Sequence, residues 1–485
     1  MAKQYDVIII GAGPGGYSTA LRLAELGRSV AMVERDRTVG GTCLNRGCIP
    51  TKALLTVCHT LDLAKRSREL GVDLEMAGID YGRLADYRRA TVDAMVKGLT
   101  GLLAHRKVEV IHGEAELTGE HTVRVTQPGN GDTGGDGGNA LELEAGDIVL
   151  ATGARARALP NVPFGAAVID SDAALTLDEF PASAIVIGSG AVALEFASIW
   201  HSAGCDVTLM IRKDRVLSQW NRRTSVMLTR EFKRQGVTVL DRTAVTGIDT
   251  GVNLGARVHY TKGDDPTELT REAELVLVAI GREPNTDAPW FHDRGIRLDG
   301  HGTVVTDEYG RTSIPHVWAV GDITPGPQLA HRAFEQGIVV AESIAGISPA
   351  PTPVDDMTIP QVVFSHPEAA SVGLTLEQAE ARDDFASVEE TQYPMLSNSR
   401  VLMSGANGSL SLVTGCTASD PDTPLVLGVH MVGPNVSEII AEAEQLVGNR
   451  VPVHRAARLI HPHPTVSEAL GEALLKADGR PLHTR

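Results

Sequence analysis

The chain offers little to a membrane or to a nucleic acid. Nowhere in its 485 residues is there an uninterrupted apolar run of about 18 residues, so no segment reads as a bilayer-spanning helix. Lys and Arg number 44 against 61 Asp and Glu, a net charge of −17, and no Lys/Arg-rich run stands out. That balance argues against nucleic acid or an anionic membrane surface as a partner. Aromatic residues make up only 4%, which leaves little material for large stacking platforms. Cysteines number five, and the start Met1-Ala2-Lys3-Gln4-Tyr5-Asp6 shows no charged n-region, apolar h-region or cleavage site. The simplest location this implies is the cytoplasm, where cysteines seldom serve as structural staples. What remains, 42% hydrophobic and 22% charged, is ordinary for a soluble globular protein. The length suits roughly three domains.

Two of the five cysteines stand close together in Gly40-Gly41-Thr42-Cys43-Leu44-Asn45-Arg46-Gly47-Cys48-Ile49-Pro50-Thr51-Lys52. Such a pair, in a chain without a secretion signal, reads as a redox couple. On an ideal helix, positions i and i+5 point well apart, because each residue turns about 100°. A bond between Cys43 and Cys48 therefore requires a distorted or unformed helical turn, which Gly47 and Pro50 favour. Strained or exposed disulfides are the reducible ones. Zinc would need further ligands at regular spacing, and none lies nearby. The bland alternative is a pair of unpaired packing cysteines.

Upstream, Asp6 to Ile10 is a short β-branched run of the kind a fully buried parallel strand shows. Gly11-Ala12-Gly13-Pro14-Gly15-Gly16 follows, then an amphipathic helix from Tyr17 to Leu26 and a strand from Ser29 to Val33 ending on Glu34. Gly11, Gly13 and Gly16 allow a tight turn, close approach to a pyrophosphate and close helix–strand packing. The phosphates would sit at the helix N-terminus, with Glu34 placed to accept from an adenosine ribose. The pattern repeats at Ala184-Ile185-Val186-Ile187, Gly188-Ser189-Gly190-Ala191-Val192-Ala193, a helix carrying Glu195, and a strand from Asp206 to Ile211. Here Ala193 takes the third glycine position, and no acid ends the strand. Arg212 and Lys213 follow instead, and cations at that place suit the 2′-phosphate of NADP(H). A solvated basic pair on an NAD enzyme is the alternative.

Between and beyond these units, helices are expected over Ala53–Leu70 and Tyr81–His105 and a strand over Val108–Ile111, followed by Gly113-Glu114-Ala115. Gln127 to Ala140 is so rich in glycine and polar residues that it reads as a mobile hairpin loop. Strands are expected at Asp147–Ala151 and Glu274–Ile280, the latter followed by Gly281, and at His316–Val320 ahead of Gly321-Asp322. A helix opens at Leu329-Ala330-His331. Pro351, Pro353 and Pro360 mark a linker, and the last segment contains His461-Pro462-His463-Pro464-Thr465-Val466-Ser467-Glu468. Cys58, Cys205 and Cys416 belong to no motif and read as packing residues.

With GGTCLNRGCIPTK and HPHPTVSE on one chain, the sequence resembles, nearly end to end, the flavin-dependent pyridine nucleotide–disulfide oxidoreductases. Within that family GGYSTALRLAELG, LAHRAFEQG, VVFSHPEAASVG, SNSRVLMSG and GVHMVGPNVSEII are similar in style to lipoamide dehydrogenases. The resemblance implies an α/β fold with two Rossmann-like dinucleotide-binding domains and a C-terminal α+β dimerisation domain. Its bounds would be an FAD domain over 1–153, a nicotinamide domain over 154–280, a second FAD or central part over 281–350, and a dimerisation domain over 351–485. It also implies FAD and NAD(P)(H) as cofactors, a homodimer, and a small dithiol or disulfide such as lipoamide as substrate. A 2-oxo acid dehydrogenase complex is a possible larger partner, although no lipoyl-like domain precedes the first fingerprint.

Residue by residue, the family's pattern makes Cys48 the thiol nearest the flavin and Cys43 the one that exchanges with substrate. His463, oriented by Glu468, becomes the base, supplied from the other subunit. Lys52 and Glu195 match an ion pair near the flavin and nicotinamide. Asp322 matches the acid on the ribityl chain, Ala330 the helix N-terminus facing the flavin pyrimidine, Ala115 a further FAD contact, and Gly281 a nicotinamide-side contact. One stretch departs from the lipoamide pattern. Leu209 to Leu217 (LMIRKDRVL) is similar to glutathione reductase, an NADPH enzyme, and Ala193 points the same way. Two activities therefore compete: dihydrolipoamide oxidation with NAD(P), and NADPH-driven reduction of another small disulfide. A non-catalytic flavoprotein subunit is a third.

Overall fold

In a computed structural model, residues 3–127, 140–252 and 255–484 are described. Residues 128–139, most of the glycine-rich Gln127–Ala140 stretch, lie outside them. The chain divides into two compact units. One comprises Met1–Ala53, Ile79–Arg157 and Arg282–Asp356; the other comprises Leu54–Gly78, Ala158–Gly281 and Met357–Arg485.

The first unit is organised on the strand Lys3–Ile10, which pairs in parallel with Val30–Glu34 on one side and with Ala140–Leu150 on the other. Glu109–His112 extends the sheet beyond Val30–Glu34, and Val317–Ala319 pairs in parallel with Ala140–Leu150. Alternation explains why Val7 to Ile10 is apolar throughout. Ile8 and Ile10 pack with Ala31, Val33, Ile148 and Leu150 on one face. Val7 and Ile9 pack with Val30, Met32 and Val149 on the other. Both faces are covered, so no position can be polar. Helices Pro14–Glu25 and Ala330–Ala345 lie together in this unit. A side chain at Gly337 would reach within 2.2 Å of Ser18 Oγ, which shows how closely they approach. The helix Tyr81–His105 has the bounds expected from the sequence, with Asp80 capping it through Arg83 N–H.

The second unit repeats the arrangement. Thr238–Leu240, Asp206–Met210, Ser183–Ile187, Leu275–Val278 and Val168–Ile169 form, in that order, a parallel sheet. A three-stranded antiparallel meander spans Thr243–Ala273. A separate five-stranded antiparallel sheet is built from Gln361–Val363, Glu368–Gly373, Phe385–Pro394, Ser409–Thr417 and Asp420–Gly433. Helices Val436–Gly448 and Glu468–Ala477 bury Ile439, Ile440, Leu470 and Leu474 in one cluster with Leu410, Leu412, Val429 and Met431 of that sheet. The fold class is therefore the expected one: two Rossmann-like folds and a C-terminal α+β domain. Among the described residues no helix is long and apolar enough to cross a membrane.

Candidate functional site

The cysteine stretch is not one helix but two. A short helix, Gly41–Arg46, ends at Gly47, whose φ of −144° and ψ of −108° leave the helical region. A second helix then runs from Cys48 to Lys65. The break answers the geometric problem that the spacing poses, because Cys43 and Cys48 no longer share one helical axis. Gly47 is needed for space: a Cβ there would lie 2.9 Å from Thr42 O. Pro50 falls in the first turn of the second helix, where its missing N–H has no intrahelical partner to lose. The Thr51 hydroxyl donates to Gly47 O at 2.6 Å. Asn45 donates to Val39 O and Gly41 O at 3.1 and 3.0 Å and accepts from Thr38, so the approach to the cysteines is pinned by one amide.

Both thiols are half-buried. The Cys43 thiol is held far above the ordinary range, first by a hydrogen bond to Cys48, then by burial and the charge on Cys48, against the opposing pull of the Lys52 ammonium. A Cys43 thiol held protonated in this way can donate that hydrogen bond to the Cys48 sulfur. Tyr17, which sequence reasoning did not single out, also belongs here. Burial first, then the charges of Cys43 and Cys48, push its phenol up to about 12. Its ring lies against Phe334 at 5.6 Å.

Around this pair the first unit shows the features a flavin dinucleotide needs. The helix Pro14–Glu25 starts at Gly13 with no side-chain cap and no acid in its first turn, leaving its N–H groups and positive end for phosphate. A side chain at Gly41 would drive to 2.6 Å from Gly13 Cα, so the turn and the cysteine loop form a cradle lined by backbone. Gly16 packs under Gly11, where a Cβ would come within 1.9 Å of Gly11 O. Glu34 is buried and accepts from Ala12 N–H at 2.7 Å and Asp36 N–H at 2.9 Å. Its carboxylate therefore ties the glycine turn to the strand end, and each oxygen keeps a lone pair for a ribose hydroxyl. Ala330 opens its helix, again without a side-chain cap or an acid in the first turn. Asp322 lies on the short turn Gly321–Ile323; burial raises its carboxyl, and Arg282 and Arg332 pull the other way. Arg282 Nε is 4.0 Å from Asp322, and Arg282 also donates to Ala154 O. Gln336, likewise missed, accepts from Gly321 N–H at 2.9 Å and steadies the turn. Ala115 sits half-buried on the strand Glu114–Leu117, against the core of this unit. These residues fit FAD, with Lys52 half-buried on the helix that begins at Cys48.

In the second unit Gly190 starts the helix Ala191–Ser202, also without a side-chain cap, and a Cβ on Gly190 would meet nothing within 4 Å. That open space suits a pyrophosphate. Ala193 is fully buried, Glu195 is 4% exposed, and Glu195 Oε1 accepts from Phe364 N–H at 3.1 Å. The strand Asp206–Met210 leads to Ile211, which is 1% exposed, and then to exposed Arg212 and Lys213. Gly281 adopts φ +121° just beyond the strand Leu275–Val278.

His463 and Glu468 are brought together. His463 Nδ1 is 2.8 Å from Glu468 Oε1, while Glu468 Oε2 accepts from Thr465 N–H at 2.8 Å. Burial pulls the Glu468 carboxyl up, but Thr465 N–H and His463 outweigh it and hold it below the usual range. The His463 side chain is 78% exposed. Two residues upstream, His461 is 9% exposed and paired with Glu442 at 2.8 Å, a hydrogen bond that raises its pKa. Cys58 is inert by comparison: burial pushes its thiol up to about 12. Among the described residues no cluster of His, Cys, Asp or Glu could hold a metal.

A family model described as pyridine nucleotide-disulphide oxidoreductase matches residues 5–337, and the dimerisation domain of the same family matches residues 359–474. The chain belongs to the pyridine nucleotide–disulfide oxidoreductases. It is similar over its length to curated dihydrolipoyl dehydrogenases. That of Geobacillus stearothermophilus is 36% identical over 483 residues, covering 99% of this chain and 98% of the relative. That of Chlamydia pneumoniae is 33% identical over 483 residues, covering 100% and 99%. Among solved structures, LpdA from Mycobacterium tuberculosis matches with a TM-score of 0.86 and 26% identity, covering 98% of this chain and 100% of that one. As a member of this family the chain is an FAD-dependent oxidoreductase using a nicotinamide nucleotide, with an activity of the dihydrolipoyl dehydrogenase type and a domain for dimerisation.

Proposed function

We propose that the chain moves electrons between a small dithiol or disulfide of the lipoamide kind and a nicotinamide nucleotide. The Cys43–Cys48 pair would be the protein's own redox station. The observation that carries this reading is the helix break at Gly47, which allows two cysteines five positions apart to pair while Lys52 opposes the buried charge. In the oxidising direction a substrate thiolate attacks Cys43 Sγ, the Cys43–Cys48 bond breaks, and Cys48 leaves as thiolate. The second substrate thiol then attacks the substrate sulfur of the mixed disulfide. Oxidised substrate departs, and two electrons remain on the pair as Cys43 thiol and Cys48 thiolate.

The base for these transfers is His463, whose Nδ1 is occupied by Glu468, so that Nε2 takes the proton and Glu468 stabilises the resulting imidazolium. We assign it to the cysteine pair of a second copy of the chain, so that a monomer would be inactive. Bound FAD would supply the two-electron relay from thiolate to nicotinamide. Gly11, Gly13, Gly16, Glu34, Ala115, Asp322 and Ala330 hold it; Gly188, Gly190, Ala193, Glu195 and Gly281 receive the nucleotide.

For the nucleotide itself we infer a preference for NADP(H), supported by buried Ile211 where a ribose-binding acid would stand and by exposed Arg212 and Lys213 beside it. The same feature favours a second reading, NADPH-driven reduction of another small disulfide. Steady-state kinetics with both nucleotides against lipoamide and glutathione disulfide separates the two. The test of the common mechanism is Cys48→Ser. Disulfide turnover should fall by at least about 1,000-fold while flavin stays bound. Undiminished lipoamide activity in that variant removes the cysteine pair from the mechanism.

A further inference from the structure

Glu195 is held from outside its own helix. The turn that follows the strand Gln361–Val363 presents two backbone donors, two positions apart, to the helix Ala191–Ser202. Phe364 N–H reaches Glu195 Oε1 at 3.1 Å, and His366 N–H reaches Ser198 Oγ at 3.1 Å. Positions 195 and 198 lie one turn apart on the same helical face. The turn is itself braced. Gln235 Nε2 donates to His366 O at 2.9 Å, and the buried Ser365 hydroxyl donates to Pro367 O at 2.8 Å. Ser202, the next position on that face, is fixed by Asp62 at 2.7 Å and by Lys65 on its carbonyl at 2.6 Å. Glu195 and Ser198 are 4% and 5% exposed, so no bulk water competes for either contact.

We propose that Ser198 and the Phe364–Pro367 turn are positioning residues for the nicotinamide half of the reaction, acting by fixing the Glu195 carboxylate. The inference rests on Glu195 being the nicotinamide-side acid. A backbone N–H on a carboxylate is a strong, directional contact, and its direction is set by the turn, not by the glutamate's rotamers. Ser198 registers the turn against the helix. Without its hydroxyl the half-buried His366 N–H loses its acceptor, and the turn must shift to find another. A displacement of about 1 Å at a reacting group can cost about 100-fold in rate, so the effect appears in hydride transfer and spares the thiol chemistry.

The test measures the two half-reactions of the holoenzyme separately under anaerobic stopped flow. Ser198→Ala should slow flavin reduction by the nicotinamide about tenfold. Nucleotide dissociation constants and reduction by dihydrolipoamide should stay within about twofold. Ser198→Thr, which keeps the hydroxyl, should restore most of the rate, and Gln235→Leu should give a milder loss of the same kind. In protein stripped of flavin, amide exchange across residues 362–368 should rise in Ser198→Ala and not in Ser198→Thr. Equal slowing of both half-reactions, or an unchanged nicotinamide step, overturns the proposal. Glu195→Gln separates the levels. If it leaves the nicotinamide step unchanged, the assignment of Glu195 falls and this inference with it. If it slows that step while Ser198→Ala does not, only the positioning role falls.

Discussion

The two dinucleotide folds are near copies in backbone and opposites at one strand end. In each, the first glycine of the turn has positive φ, +108° at Gly11 and +140° at Gly188. In each, a Cβ there would strike the carbonyl after the neighbouring parallel strand, at 2.2 Å from Ala151 O and 2.1 Å from Ala279 O. The helix N-caps are nearly superimposable in conformation: φ −74° and ψ −175° at Gly13, φ −90° and ψ −175° at Gly190. Neither helix has a side-chain cap or an acid in its first turn. The divergence comes where the second strand ends. Glu34 is buried and engaged by two backbone N–H groups, whereas Ile211 is buried and apolar, with cations next in sequence. On the proposed assignment, phosphate binding is a property of the shared backbone, and the choice of nucleotide belongs to one or two side chains.

The sharpest way to break the comparison is to place alanine at the shared glycines. Gly11→Ala and Gly188→Ala each force a β-carbon into a carbonyl and hold a left-handed backbone, so both turns must deform. Gly11→Ala should yield protein largely without flavin, seen as loss of absorbance near 450 nm. Gly188→Ala should keep flavin yet lose at least about 100-fold in kcat/KM for the nicotinamide. If Gly188→Ala also emptied the flavin site, the two folds would not be independent stations.

A smaller effect is expected at the strand end. Arg212→Glu puts a carboxylate beside the place we assign to a 2′-phosphate, and charged contacts of this kind are worth about 1.5–3 kcal/mol. The ratio of kcat/KM for NADPH over NADH should therefore fall by about 10- to 100-fold. An unchanged ratio would mean that Arg212 and Lys213 are solvated charges and that the nucleotide is chosen elsewhere.

What the sequence could and could not reveal follows the same division. Strand, glycine turn, helix and acidic end were legible because each is written locally, in β-branched runs, glycine spacing and a single carboxylate. The helix Tyr81–His105 was legible as one long helical stretch, and the structure adds the Asp80 cap at its start. The start of the helix at Cys48 was less so, because Pro50 suggests a later beginning near Ala53 unless it occupies the first turn. The His463–Glu468 contact was legible through the resemblance, but the other contacts that fix the site were not. Phe364 N–H lies 169 positions from Glu195, and a backbone donor leaves no signature in residue type. Gln336 on Gly321 and Glu442 on His461 are side-chain contacts, but ordinary amphipathic helices carry such residues at many positions.

The least disruptive test concerns Ala193, the other difference between the folds. Gly16 fits where a Cβ would lie 1.9 Å from Gly11 O, whereas Ala193 carries a methyl, and that methyl lies 3.3 Å from the point where a Cβ on Gly188 would be. The second turn has therefore opened enough to admit one carbon, which is fully buried against protein. A buried methyl facing the turn backbone has no way to read a 2′-phosphate. Ala193→Gly should cost about 1–2 kcal/mol, from the helix propensity of glycine and the lost apolar contact, measured as a shift in the denaturation midpoint. The ratio of kcat/KM for NADPH over NADH should stay within about twofold, against the much larger change at Arg212. If the ratio moved as far as it does in Arg212→Glu, nucleotide choice would be spread through the turn and not confined to the strand end.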